Sequence, residues 1–106
     1  MDKPAVLTQN EALGLVRKYK QVIAPRFNNN VDVMMFGSYA KGKAHEWSDI
    51  DVAVIVPKLE DDKWLDTSVS IGMDVDRVSL MIEPVLMERG EDSMLYREVM
   101  HTGIAV

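Results

Sequence analysis

The chain contains no cysteine, which excludes disulfides and thiolate metal sites and suits a reducing compartment such as the cytoplasm. No apolar run approaches the ~20 residues needed to cross a bilayer. The opening Met1-Asp2-Lys3-Pro4 lacks the pattern of a secretory signal. Basic charge is also scarce: 12 Lys and Arg stand against 17 Asp and Glu, a net charge of −5. That balance argues against strong nucleic-acid binding, which needs a basic footprint. It leaves nucleotides open as ligands, because a bound cation supplies positive charge locally. Internal repeats, low-complexity tracts and any sign of a second domain are missing as well.

What remains suits one domain over residues 1–106, a size that buries roughly 60–70% of the surface its unfolded chain exposes. Thr8-Gln9-Asn10-Glu11 has the form of a capping box. The helix it opens carries Leu13, Val16, Ile23 and Phe27 on one face and ends at Pro25 and Asn28-Asn29-Asn30. Val31 to Phe36 reads as a strand buried on both faces, with Met34 and Met35 as core filler. Val52 to Val56 is a second strand, stopped by Pro57. A helix of weak periodicity follows from Trp64 to Met73, with Asp74 and Asp76 in the loop after it. Val78 to Pro84 reads as a third strand. Asp92 or Ser93 caps a last helix through Met100, which has Leu95 and Val99 on one face and Gly103 as its C′ stop. The expected architecture is α/β (α+β): a mixed sheet of three or more strands with helices packed on it.

The informative stretch runs from Gly37 to Val56. Gly37 follows an apolar strand, where glycine lets the backbone turn sharply and approach a ligand. Ser38 adds a hydroxyl and an N–H at that turn. A short helix starting near Tyr39 would aim its free N–H groups at the same point, a phosphate cradle to which Lys41 can add charge. Asp49 and Asp51 stand two apart at the entrance of the second strand. Residues so spaced on a strand face one way, with Cα atoms roughly 6.6 Å apart. Their repulsion would be relieved by a hard divalent cation such as Mg2+, which favours one or two carboxylates plus substrate phosphates. Cradle and acid pair together read as chemistry on a nucleoside triphosphate. They must share one end of the sheet, so the first two strands are expected to run antiparallel. His45 is a further candidate for phosphate or metal, against the simpler reading as a solvated loop residue. Trp47 either stacks on a base or covers the core edge, and packing is the favoured reading.

The pattern G-S-x-x-x-G, a short spacer, then S-D-x-D and an apolar strand resembles the nucleotidyltransferase superfamily related to DNA polymerase β. The small size and the ending Val99-Met100-His101-Thr102-Gly103-Ile104 make the chain similar to the minimal, MntA-like group. The resemblance covers nearly the whole sequence. It implies that Asp49 and Asp51 ligate two Mg2+ ions and that a third acid on a neighbouring strand holds the ion activating an acceptor hydroxyl. Counted back from Gly103, Glu83 falls where that acid belongs, although the family's usual residue is aspartate; Asp76 is the fallback. Gly37 and Ser38 would bind the β- and γ-phosphates of ATP, with Lys41 assisting. AMP would pass to the acceptor and pyrophosphate would leave.

Larger relatives carry an extra helical domain that grips the acceptor. Nothing here corresponds to it, so the acceptor site is expected from another chain, from a second copy in a homo-oligomer, or from the substrate. Minimal domains of this group often pair with a HEPN-type protein in toxin–antitoxin modules, and some adenylylate that partner. The alternative is a non-catalytic module that neutralises its partner by contact. Transfer to a small molecule such as an aminoglycoside is a weaker third reading. A haloacid-dehalogenase-like phosphatase also spaces two aspartates by one residue, but there the apolar strand precedes the pair, whereas here it follows.

Overall fold

Thr8 opens the first helix by reciprocal capping. Its hydroxyl accepts from the Glu11 N–H at 3.0 Å, and its own N–H donates to the Glu11 carboxylate at 2.8 Å. The computed structural model describes residues 6–106, and the reading of Met1 to Pro4 as lacking a secretory pattern lies outside them. Helix α1 (Gln9–Ile23) buries Ala12, Leu13, Val16, Tyr19 and Ile23. It tightens into a 3-10 turn, Ala24–Phe27, and stops where Asn28 and Asn29 take left-handed backbone. Then come β1 (Asp32–Phe36), α2 (Gly37–Ala40), β2 (Ile50–Val56), α3 (Asp61–Met73), a 3-10 turn (Asp74–Arg77), β3 (Ile82–Glu88), α4 (Met94–Thr102) and β4 (Ile104–Ala105).

The four strands form one mixed sheet in the order β3-β2-β1-β4. As expected, β1 runs antiparallel to β2; β4 is antiparallel to β1, and β3 is parallel to β2. The sheet is buried unequally on its two sides, because successive side chains of a strand point to opposite faces. Ile50, Val52, Val54 and Val56 pack with Val16, Tyr19 and Ile23 of α1 and Ile71 of α3 in the larger core. Ala53 and Ile55 face a smaller cluster with Phe36, Met87 and Val99 of α4. Two polar ties close the larger side. The Tyr19 hydroxyl donates to the Ile71 carbonyl at 2.5 Å. Arg26 donates twice to the buried carboxylate of Asp74, at 2.7 and 3.0 Å.

Several boundaries differ from those read off the sequence. The turn helix α2 begins at Gly37 rather than near Tyr39, β2 begins two residues early so that Asp51 lies inside it, and α3 begins at Asp61. Asp74 and Asp76 belong to a 3-10 turn, not a loop. The largest shift is in the third strand. Val78 to Met81 are not strand: the Val78 and Ser79 N–H groups donate to Val75 O, and the Met81 N–H donates to Ser79 Oγ. β3 starts at Ile82 and contains Pro84, which is tolerated because β3 is an edge strand.

Gly103 does end α4, but with extended backbone at φ −73° rather than the left-handed geometry of a C′ glycine. Glycine is required there by crowding. A Cβ would lie 2.5 Å from Val99 O and 3.2 Å from Met34 Cε. Gly103→Ala is therefore expected to destabilise the protein by about 1–3 kcal/mol, as overpacking does. Gly14→Ala, in mid-helix with nothing within 4 Å of the added methyl, is expected to stabilise it by about 0.5–1 kcal/mol. Urea unfolding of the two variants checks both signs.

Candidate active site

Strand register assembles the site. Phe36 pairs with Asp51 across β1 and β2, and Asp51 pairs with Glu83 across β2 and β3. The last residue of β1 and the second residues of β2 and β3 thus form one row at a single end of the sheet. Gly37 follows Phe36 with φ +75°, and a Cβ on it would collide with Asp51 Oδ2. Glycine at this position lets the chain turn off the strand and the Asp51 carboxylate lie against its backbone.

The acids perturb one another. Glu83 is raised above the ordinary carboxylate value, first by a hydrogen bond with Asp49, then by the Asp49 charge, slight desolvation and the Asp51 charge. Asp51 is raised by partial burial and secondarily by Asp49. Asp49, Asp51 and Glu83 are therefore one electrostatic unit, even though Asp49 and Glu83 are exposed. Asp76 is exposed in the 3-10 turn after α3, outside the strand row. The donor set, carboxylate oxygen throughout, suits a hard divalent cation in kind. Among the described residues, no group of three or more acidic or histidine side chains is gathered closely enough to hold a metal ion without a further ligand.

Helix α2 sits beside this row and is braced from α1. The Gln9 amide donates to the Tyr39 and Ala40 carbonyls at 3.0 and 3.1 Å, and the Leu7 N–H donates to the Tyr39 hydroxyl at 3.3 Å. No side chain caps the start of α2, and the N–H groups of a first turn have no intrahelical acceptor. Ser38 lies half-buried in that turn. Lys41, at its end, is paired with Glu98 of α4 at 2.8 Å, a contact with nothing to announce it in the sequence.

The loop before β2 departs from the favoured reading of its tryptophan. Trp47 is 68% exposed and does not pack on the core. It takes φ +70° in a turn closed by Ser48 N–H to His45 O at 3.0 Å and by His45 N–H to Ser48 Oγ at 3.0 Å. Left-handed backbone costs a non-glycine residue roughly 1–2 kcal/mol. Trp47, His45 and Ser48, with Tyr39, Asp49, Leu80 and Met81, line a cavity of about 200 Å3 against the acidic row. Leu80 and Met81 were hidden in the apolar run mistaken for strand.

A family model described as a nucleotidyltransferase domain matches residues 16–98 of the chain. A curated relative from Methanocaldococcus jannaschii, named "Putative protein adenylyltransferase", is 26% identical over 98 residues, 91% of this chain and 99% of that protein. The crystal structure of "a putative nucleotidyltransferase" from Sulfolobus solfataricus is similar with a TM-score of 0.66 at 21% identity, covering 92% of this chain and 80% of the other. A crystal structure described as a toxin–antitoxin with AMP-PNP aligns with a TM-score of 0.50 at 22% identity, covering 93% and 72%. At these identities the two structural likenesses show the fold.

The raised acids predict how stability follows pH. A carboxyl whose folded pKa is raised stabilises the fold below its unfolded pKa and loses that contribution as pH rises through the folded value. In metal-free buffer the protein is therefore expected to lose stability as pH rises through and just beyond the ordinary carboxylate range. Glu83→Gln is expected to flatten that decline and to raise the melting temperature near neutral pH. Thermal melts of both proteins across the range check it.

Proposed function

Because the chain belongs to the nucleotidyltransferase domain family, we propose that it transfers AMP from ATP to a hydroxyl of a HEPN-type partner protein, in a divalent-metal-dependent reaction. The observation that carries this reading is the row Phe36–Asp51–Glu83, which sets the glycine-serine turn after Phe36 against two acids that Asp49 joins electrostatically. The name of the archaeal relative, a protein adenylyltransferase, supports a protein acceptor. The toxin–antitoxin described with AMP-PNP supports an adenine nucleotide and a toxin partner. Membership of the MntA-like group, inferred from the motif, supports HEPN as that partner.

In this reading the Ser38 hydroxyl and the first-turn N–H groups of α2 hold the β- and γ-phosphates. Lys41, which follows the last residue of α2, adds a cation. Its exposed pair with Glu98 is worth at most about 1 kcal/mol, so a triphosphate can draw it away. Asp49 and Asp51 would hold both magnesium ions, and Glu83 the one nearer the acceptor. Those ions, when bound, neutralise the triphosphate and acidify the acceptor hydroxyl. Held by its outer phosphates at the α2 turn, the triphosphate presents its α-phosphate to that hydroxyl. The hydroxyl gives up its proton to solvent, and a new bond forms from its oxygen to the α-phosphorus as the bond to pyrophosphate breaks. The whole of residues 1–106 is proposed to act as one domain, in the cytoplasm.

The alternative is a module without catalysis that neutralises its partner by contact. A single experiment separates the two. The wild-type protein, incubated with α-labelled ATP, Mg2+ and the product of the neighbouring gene, is expected to label that protein, and EDTA is expected to abolish transfer. Asp49→Asn with Asp51→Asn is expected to reduce labelling by at least about 100-fold, the scale of a lost catalytic electrostatic contact, and to lose neutralisation of the partner. Full neutralisation by the double variant would establish the contact-only reading instead.

A further inference from the structure

We propose that Trp47 and Leu80 form the seat for the nucleobase of the triphosphate, an inference that rests on the transferase reading above. The cavity they flank holds about 200 Å3 and has Asp49 on its wall. Pockets for whole drug-sized ligands run to ~300–1,000 Å3. This one suits a single flat ring system, with the phosphates outside it on the acidic row.

Two large apolar side chains stand in solvent at this one place. Trp47 is 68% exposed and Leu80 is 80% exposed. Neither contributes to either core cluster. Trp47 is also held there against backbone preference. It occupies the third position of the turn His45–Ser48 with a left-handed φ of +70°, where glycine or asparagine is the usual occupant. The turn's two hydrogen bonds keep the indole off the core and beside the cavity. An indole face so presented is a stacking platform, and every base has a π-face to lay on it. Met81 supplies apolar surface to the same cavity. The Ser48 hydroxyl accepts from the His45 N–H and keeps its own O–H to donate to a base edge.

The test uses Trp47 as its own reporter. The chain has two tryptophans, so Trp64→Phe leaves Trp47 as the single indole. Titration with ATP and Mg2+ is expected to quench its fluorescence saturably. Inorganic tripolyphosphate is expected to compete with ATP without quenching. Trp47→Gly is expected to weaken ATP binding about 5- to 100-fold, as loss of an aromatic stack does, with tripolyphosphate binding unchanged. The same variant is expected to melt higher than wild type, because glycine accepts the left-handed backbone. Trp47→Phe is expected to retain most of the ATP affinity.

Unchanged ATP affinity in Trp47→Gly, with tripolyphosphate still bound, would overturn the nucleobase seat and leave the transferase reading standing. A rise in KM for the acceptor protein alone would overturn it in favour of an acceptor pocket. Failure of wild type to bind either ATP or tripolyphosphate would overturn both.

Discussion

Repulsion among Asp49, Asp51 and Glu83 is the constraint around which the rest of the molecule is arranged. Glu83 is raised from its ordinary value first by the hydrogen bond with Asp49 and then by that acid's charge, and Asp51 first by partial burial and then by the Asp49 charge. Nothing in a sheet requires acids in adjacent register positions, and like charges directly opposite destabilise a ladder. The fold holds them together through β2. Ile50, Val52, Ala53, Val54 and Val56 are completely buried, so the strand cannot shift without exposing its core faces. The pairing of β2 with both neighbours is therefore set by burial, and the acidic row follows from it.

The second requirement is that the Gly37–Ser38 turn stay where it is. A four-residue helix is not stable by itself, since nucleation consumes most of what so short a segment gains. α2 persists because its Tyr39 is buried and because Gln9 of α1 and Leu7, just before that helix, bond to it. The capping box at Thr8 thus serves the site at one remove. It sets where α1 begins, and the beginning of α1 anchors α2.

Much of this was legible in the sequence. The capping box, the first strand, the antiparallel β1–β2 pair, and the order of glycine-serine turn and acid pair all follow from local chemistry. The fold and family agree with the motif that suggested them. The failures have physical causes. Val78 to Met81 is as apolar as a strand, but the Val78, Ser79 and Met81 N–H groups are spent on Val75 and Ser79, so the segment turns and leaves Leu80 outside before the Met81 carbonyl meets β2. Pro84 looks like a terminator because proline donates no hydrogen bond, yet an edge strand accommodates it. The Arg26–Asp74 and Lys41–Glu98 pairs join residues 48 and 57 apart, a separation no local pattern reports. Trp47 defies its usual burial because of a turn whose geometry a bulky residue gives no reason to expect.

The position of Glu83 on β3 has one more consequence. An edge strand offers its unpaired amides and carbonyls to any extended segment that comes near, and proteins guard such edges against unwanted zippering. Here the residue directly after Glu83 is Pro84, which has no amide hydrogen to offer. A foreign strand cannot extend the sheet through that point with an unbroken ladder. A macromolecule reaching for this flank must meet it with protruding side chains rather than by continuing its backbone weave, and the strand that carries Glu83 is shielded from becoming a seam of aggregation.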